Sequence, residues 1–197
     1  MWAVVVSALM QLPRRGFLLW AAGFAACLPP RAALASLARA VTLGELVRSS
    51  NLALLGTPLE SQSRWEVVGR RKRIVTYTRL RVDELLGGAG GEPELLVRTL
   101  GGQVGGVGQA VHGEALLIIG EPAILFVTSD SVGTRSVTEM AQGHYPVRTA
   151  KDGSRRLFPS PMLAELDHAA DSAVKQLIGR RLEHASTLVR KAWTDAR

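Results

Sequence analysis

The chain has 197 residues, 47% of them apolar, a formal net charge of +7 and a single cysteine. This length suits one modest domain with enough material for a real core and leaves no room for a second large one. One cysteine excludes an internal disulfide and a cysteine-built metal centre, so stability must come from packing.

The first element in chain order reads as an export segment. In "PRRGFLLWAAGFAAC", Arg14 and Arg15 stand directly before an apolar run from Phe17 to Leu28, and "LPPRAALA" comes next with small residues at Ala33 and Ala35. The run falls short of the about 20 apolar residues that a membrane-spanning helix needs, which favours a signal peptide. Twin arginine followed by Gly16, Phe17 and Leu18 resembles the twin-arginine translocation signal, with Pro13 where that family usually has Ser or Thr. The resemblance implies the twin-arginine (Tat) translocase as the partner during export and a periplasmic or secreted mature protein. Met1 and Met10 are both candidate starts. Cleavage is expected after Ala35, with Ala40 the alternative, giving a signal at 1–35. Cys27 in "FAAC" offers another outcome, a lipid anchor on the envelope, with Phe24 where a lipoprotein site usually has Leu. Loss of Arg14, Arg15 and Arg31 with the signal lowers the net charge from +7 to about +4, weak grounds for a polyanionic partner.

A β-rich domain is expected over 36–158. Thr42 and Glu45 in "VTLGELVRSS" have the spacing of a capping box and predict a short helix to about Ser49. "NLALLGTPLESQSRWEVV" predicts a strand with an irregularity at Gly56–Pro58. Past "GRRKR", the alternation is the clearest in the chain: Ile74, Thr76, Thr78, Leu80 and Val82 share one face, and Val75, Tyr77, Arg79, Arg81 and Asp83 the other, as in a strand with one face buried. "GGAGGEP" breaks the chain and "ELLVRTL" predicts the next strand. "ALLIIGEPAILFV" reads as two short buried strand segments around a corner at Gly120 and Pro122. "TRSVTEMA" and a hairpin turning at Asp152-Gly153 complete the sheet. Over 159–197 the period becomes helical. Ser160-Pro161 predicts a helix start, Leu163, Leu166, Ala170, Val174, Leu177 and Ile178 form one stripe, Gly179 breaks it, and a second helix carries Leu182, Ala185, Leu188, Val189 and Ala192. These helices are expected to cover an open side of the sheet.

Between Leu100 and Glu114 the chain places six glycines in fifteen residues. A phosphate loop needs backbone N–H groups converging at a helix N-terminus, whereas the glycines here run into "ALLIIG", which has strand character. Neither nucleotide fingerprint fits in residue type or context. The glycines therefore read as turns, bulges or close strand crossings in a curled sheet.

The order "VTYTRLRVDELLGG", "ELLVRTLGG", a glycine-rich connection and "GEPAILFV", over roughly Asn51 to Val127, resembles secreted bacterial proteins whose core looks like the OB-type barrel of netrin modules and tissue inhibitors of metalloproteinases. That resemblance implies an OB-like curled antiparallel barrel within a mainly β, α+β chain, and an extracytoplasmic setting. In the inhibitor family an amino-terminal cysteine reaches the target's metal; the mature chain has none, so that mechanism is not implied.

The histidines are the remaining candidates for chemistry. His112 and His144 are candidate ligand or metal residues if the fold brings them together with Glu114 or Glu139; His168 and His184 lie on the proposed helices, among charged neighbours, and read as solvated. Ser129, Asp130 and Ser131 read as a polar turn, and the nucleophile elbow of a hydrolase is absent. Arg70, Arg71, Lys72 and Arg73 read as a solvated hairpin tip, with polyanion contact as the minority alternative: anionic lipid headgroups or cell-wall polymers rather than nucleic acid, since few aromatics interleave with the charge. The chain is expected to be a non-enzymatic binding module without a cofactor, its partner an extracytoplasmic protein or envelope component, and its mature part without a transmembrane helix. An exported hydrolytic or metal-dependent enzyme using His112 and His144 is the alternative class.

Overall fold

The alternation between Ile74 and Asp83 belongs to one long strand, β3 (Arg71–Gly88), paired antiparallel along its length with β2 (Leu52–Val68). The computed structural model describes residues 38–167 and 169–196. The export residues Arg14, Arg15, Phe17, Leu18, Cys27, Ala33 and Ala35, and also His168, lie outside the described residues. On β3 the inward residues Ile74 and Leu80 are fully buried and Thr78 nearly so, whereas Arg81 is exposed and Tyr77 and Arg79 half-buried. Burial of one face against water on the other produces that pattern from Tyr77 to Arg81; Val75, expected on the outer face, is fully buried as well, where β4 ends beside it at Leu100.

The chain is mainly β with a few helices, an α+β arrangement. β4 (Glu94–Leu100) flanks β3; β7 (Ala123–Ser129) flanks β2, and β9 (His144–Thr149) and β10 (Arg155–Leu157) continue beyond β7. The short β8 (Arg135–Val137) runs parallel to β4 and also pairs antiparallel with β7. The pairing thus runs β7, β2, β3, β4, β8 and returns to β7. Register shifts in the β2–β3 ladder fall between Ala53 and Leu54, Leu55 and Gly56, and Pro58 and Glu60. Such bulges bend and twist a strand, and a bulge is where a proline is tolerated.

Alternate residues of β2 and β7 serve two cores. Leu54, Leu125 and Val127 join Leu80, Leu95, Val97 and Val137 in one cluster. Ala53, Leu55, Ile124 and Phe126 face the other way, where with Tyr145 they meet Leu46, Val47, Leu177, Ala185, Val189 and Trp193 from the helices. Both faces of β7 are therefore buried, which accounts for the unbroken apolar run "AILFV". The helices are α1 (Leu43–Arg48), α2 (Ala173–Leu177) and α3 (Leu182–Asp195). The capping box forms as the spacing predicts: the Thr42 hydroxyl accepts from the Glu45 N–H at 3.2 Å and the Glu45 carboxylate from the Thr42 N–H at 2.8 Å. Among the described residues no helix is long and apolar enough to cross a membrane.

Two expectations are corrected. Residues 115–119 are not a strand segment: Ala115 is buried and Leu117 packs on the same cluster, but Leu116, Ile118 and Ile119 are exposed. This segment passes the bulged part of β2, where the Gly120 N–H donates to the Pro58 carbonyl at 2.8 Å, and it joins no strand ladder. Ser160-Pro161 does not start a helix. The Ser160 hydroxyl is engaged by His144, and the Leu163 N–H donates to the Ser160 carbonyl, making a turn with Pro161 at its second position. The chain then runs extended through β11 (Leu166–Asp167), parallel to β1 (Ala38–Arg39), and α2 begins only after Ser172, whose hydroxyl accepts from the Lys175 N–H.

The glycine-rich stretch folds into a small hairpin of β5 (Gly102–Val104) and β6 (Val107–Gln109). It lies against the middle of the β2–β3 ribbon, so the glycines serve turns and a close crossing. A Cβ on Gly102 would fall 2.3 Å from Thr76 Oγ1 and 2.4 Å from Ser63 Oγ, at a φ of +125°.

Candidate functional site

Residues directly opposite in a ladder share a face, so the outer face of β3 has a definite set of neighbours. Gln62, Tyr77 and Arg98 form one row across β2, β3 and β4, and Glu60, Arg79 and Leu96 lie close by in the next. Glu60, Gln62 and Arg64 from β2, Tyr77 and Arg79 from β3, and Leu96 from β4 line an open groove of about 460 Å³.

Two charge clusters flank it. Arg79 is clamped by Glu60 at 2.9 Å and by Glu94 at 2.7 Å. The bond from Arg79 holds the Glu60 carboxyl below its ordinary range, and the two carboxylates raise the guanidinium. In the second cluster Glu66 accepts from Arg64 at 2.8 Å, from the Tyr77 hydroxyl at 2.9 Å and from Arg98 at 3.2 Å. Burial alone would push Glu66 up, but the bonds from Tyr77 and Arg64 outweigh it and the carboxyl stays low. The Arg64 guanidinium lies 4.3 Å over the Tyr77 ring, a cation–π contact that fixes both. Beside these clusters Leu96 is 52% exposed. The face therefore combines charge-balanced donors and acceptors, held by one another, with one exposed apolar side chain.

The histidine candidates are not assembled. His112 and Glu139 line a different groove, of about 290 Å³, together with Gln142. His144 is buried, with its Nδ1 and the Ser160 hydroxyl sharing a 2.9 Å hydrogen bond. Burial pushes its imidazole down to about 4, and Arg148 adds to the effect. Glu114 is also buried, accepting from the N–H groups of Leu100 at 3.1 Å and Ala115 at 3.0 Å, and burial raises its pKa. Among the described residues no three of His, Cys, Asp and Glu gather to hold a metal ion. His184 is exposed on α3. Asp130 accepts from the N–H groups of Val132 and Thr134, closing the polar turn after Ser129. Arg70, Arg71, Lys72 and Arg73 sit at the far turn of the β2–β3 hairpin.

Two features escape sequence reasoning. Gln142 is buried and holds the start of the described chain, accepting from the Val41 N–H at 3.1 Å and donating to the Arg39 carbonyl at 2.9 Å. Nothing in "MAQG" announces that role. The groove itself was half legible: alternation places Tyr77 and Arg79 outward, but only the ladder register brings Glu60, Gln62 and Leu96 beside them. Compared with protein-family models, curated proteins and solved structures, the chain matches none.

Proposed function

We propose that the chain is an exported, non-enzymatic module with an OB-like curled barrel, which holds an extracytoplasmic partner protein across the outer face of β2, β3 and β4. The observation that carries the reading is the exposed Leu96 set between the two arginine–carboxylate clusters. The strand pairing supports the OB-like part: a meander of β2, β3 and β4 is followed by β7, which returns to β2, and by β8, which lies between β7 and β4. In OB folds the face of the second and third strands, here β3 and β4, is a recurrent ligand surface. The twin-arginine pattern at Arg14 and Arg15 supports export.

On this reading the arginines are already held by carboxylates before the partner arrives, so binding immobilises few long side chains, and the partner's polar groups add to a network that exists. Leu96 supplies the apolar contact. An interface on one sheet face this small belongs with transient complexes. A photo-crosslinking residue at Leu96 in the full-length protein, expressed in its native cells, is expected to give one dominant adduct with an extracytoplasmic protein, absent when the same residue replaces Lys151 on the β9–β10 turn. An identical set of adducts at both positions, or none at Leu96 from exported protein, would overturn the reading.

A further inference from the structure

β4 stops pairing with β3 at Val75↔Leu100, and the Gly101 N–H then donates to the Ile74 carbonyl. Beyond that point β2 and β3 have only each other as ladder partners, from Trp65↔Ile74 through Val67↔Lys72 to Val68↔Arg71 and the turn at Gly69. The β5–β6 hairpin covers the ribbon at Ser63 and Thr76 and supplies Gln109, whose side-chain oxygen accepts from the Ile74 N–H. A short two-stranded tip of four residue pairs, Trp65–Val68 against Arg71–Ile74, extends beyond the end of β4.

The tip sets exposed apolar side chains beside cations unpaired among the described residues. Trp65 is 39% and Val67 75% exposed, on the same face as Lys72, whose ammonium lies 5.3 Å over the Trp65 ring. Arg71 and Arg73 occupy the opposite face and Arg70 the turn. On the neighbouring groove face Arg64, Arg79, Arg81 and Arg98 each bond a carboxylate. Among the described residues Arg70, Arg71, Lys72 and Arg73 have no carboxylate partner, so four consecutive cations stand uncompensated around an exposed tryptophan and valine.

We propose that this hairpin tip docks on a membrane surface rich in anionic lipid headgroups, with Arg70, Arg71, Lys72 and Arg73 on the headgroups and Trp65 and Val67 entering the interfacial layer. Cations near an anionic leaflet are attracted by its surface potential, and tryptophan partitions to the boundary because its ring is apolar and its N–H polar. Single-stranded nucleic acid fits less well. Such sites stack successive bases on several aromatic platforms, whereas this tip has one ring, covered on one face by Lys72, and a valine with no π-face. The inference stands apart from the groove: the two surfaces use different residues, and either can fail alone.

The test uses the full chain with Cys27→Ser, so that Val67→Cys carries the only environment-sensitive fluorophore; Lys151→Cys is the control position. Vesicles of phosphatidylcholine with phosphatidylglycerol are compared with phosphatidylcholine alone. A blue shift at position 67 on the anionic vesicles only, silent at position 151, is expected. Arg71→Gln with Lys72→Gln should raise the lipid needed for half-response by roughly 25-fold, since each cation contributes about fivefold. Val67, Arg71, Lys72 and Lys151 are solvent-exposed, and circular dichroism confirms that the variants fold. No shift on anionic vesicles, or an equal shift on neutral ones, would overturn the proposal. Tighter response to a single-stranded oligonucleotide than to vesicles would also overturn it and give the tip to a soluble polyanion.

Discussion

Gly102 shows how one position decides whether two hairpins can meet. With a φ of +125° and no room for a Cβ beside Thr76 and Ser63, it is a place where backbone geometry and close approach both demand glycine. Gly106, at the tip of the same hairpin, has nothing within 4 Å of the Cβ position. Gly102→Ala is expected to lower unfolding stability by about 2 kcal/mol or more, and Gly106→Ala to leave it within about 0.5 kcal/mol, both read from urea denaturation. The absence of a helix after "GGQVGGVG" made the structural role of its glycines legible; which glycine is irreplaceable was not, because that depends on Ser63, thirty-nine positions earlier. His144 bears on pH. Its folded pKa of about 4 lies below the ordinary 6.5. Between these values the unfolded chain takes up a proton that the folded one refuses, so the stability held by neutral His144 is full above pH 6.5 and is lost as pH falls towards 4. Glu114 acts in the opposite sense, since its raised pKa favours the folded state as pH falls. The comparison is therefore with His144→Asn, which should flatten the loss between pH 6.5 and 4 by on the order of 2–3 kcal/mol.

Elements with a strong local signal formed where the sequence placed them, and two stretches whose conformation a distant partner decides did not. The Thr42 capping box, the alternation on β3 and the stripe on α3 are all local patterns, readable because 3.6- and two-residue periods state which face is buried. Thr42→Ala removes the hydroxyl that accepts from Glu45 and is expected to cost about 1 kcal/mol in thermal or chemical unfolding, with the sheet unchanged. The stretch Ala115–Ile119 misled because its apolar run satisfies strand propensity without saying whether a strand edge is open to it. Ser160-Pro161 misled for a related reason: the sequence is equally suited to a helix start and to a turn, and His144, sixteen residues earlier, decides between them by engaging the Ser160 hydroxyl. On α3 the burial of Trp193 needs Gly87 opposite, where a Cβ would lie 2.2 Å from the ring; no local pattern links those two positions.

At the scale of the whole molecule the charge is segregated. Arginines on the outer face of β2 to β4 are neutralised in place, whereas four consecutive cations at one end of the hairpin have no carboxylate partner among the described residues. The composition conveys only the net value of +7, which is why overall charge was weak evidence of a partner and local charge is stronger. The β2–β3 ribbon joins these regions, since its seventeen-residue strand β2 starts among the helices and ends at the cationic tip, about 56 Å away if fully extended. Its three register shifts all lie in the half nearest the helices, and from Glu60↔Arg79 to Val68↔Arg71 the ladder runs without a break. Mechanically the free lever is short: β4 and the β5–β6 hairpin hold the ribbon as far as Leu100 and Gln109, so a sideways load at the tip falls on Trp65–Val68 and Arg71–Ile74, and the bulged segment Ala53–Pro58 is shielded from it.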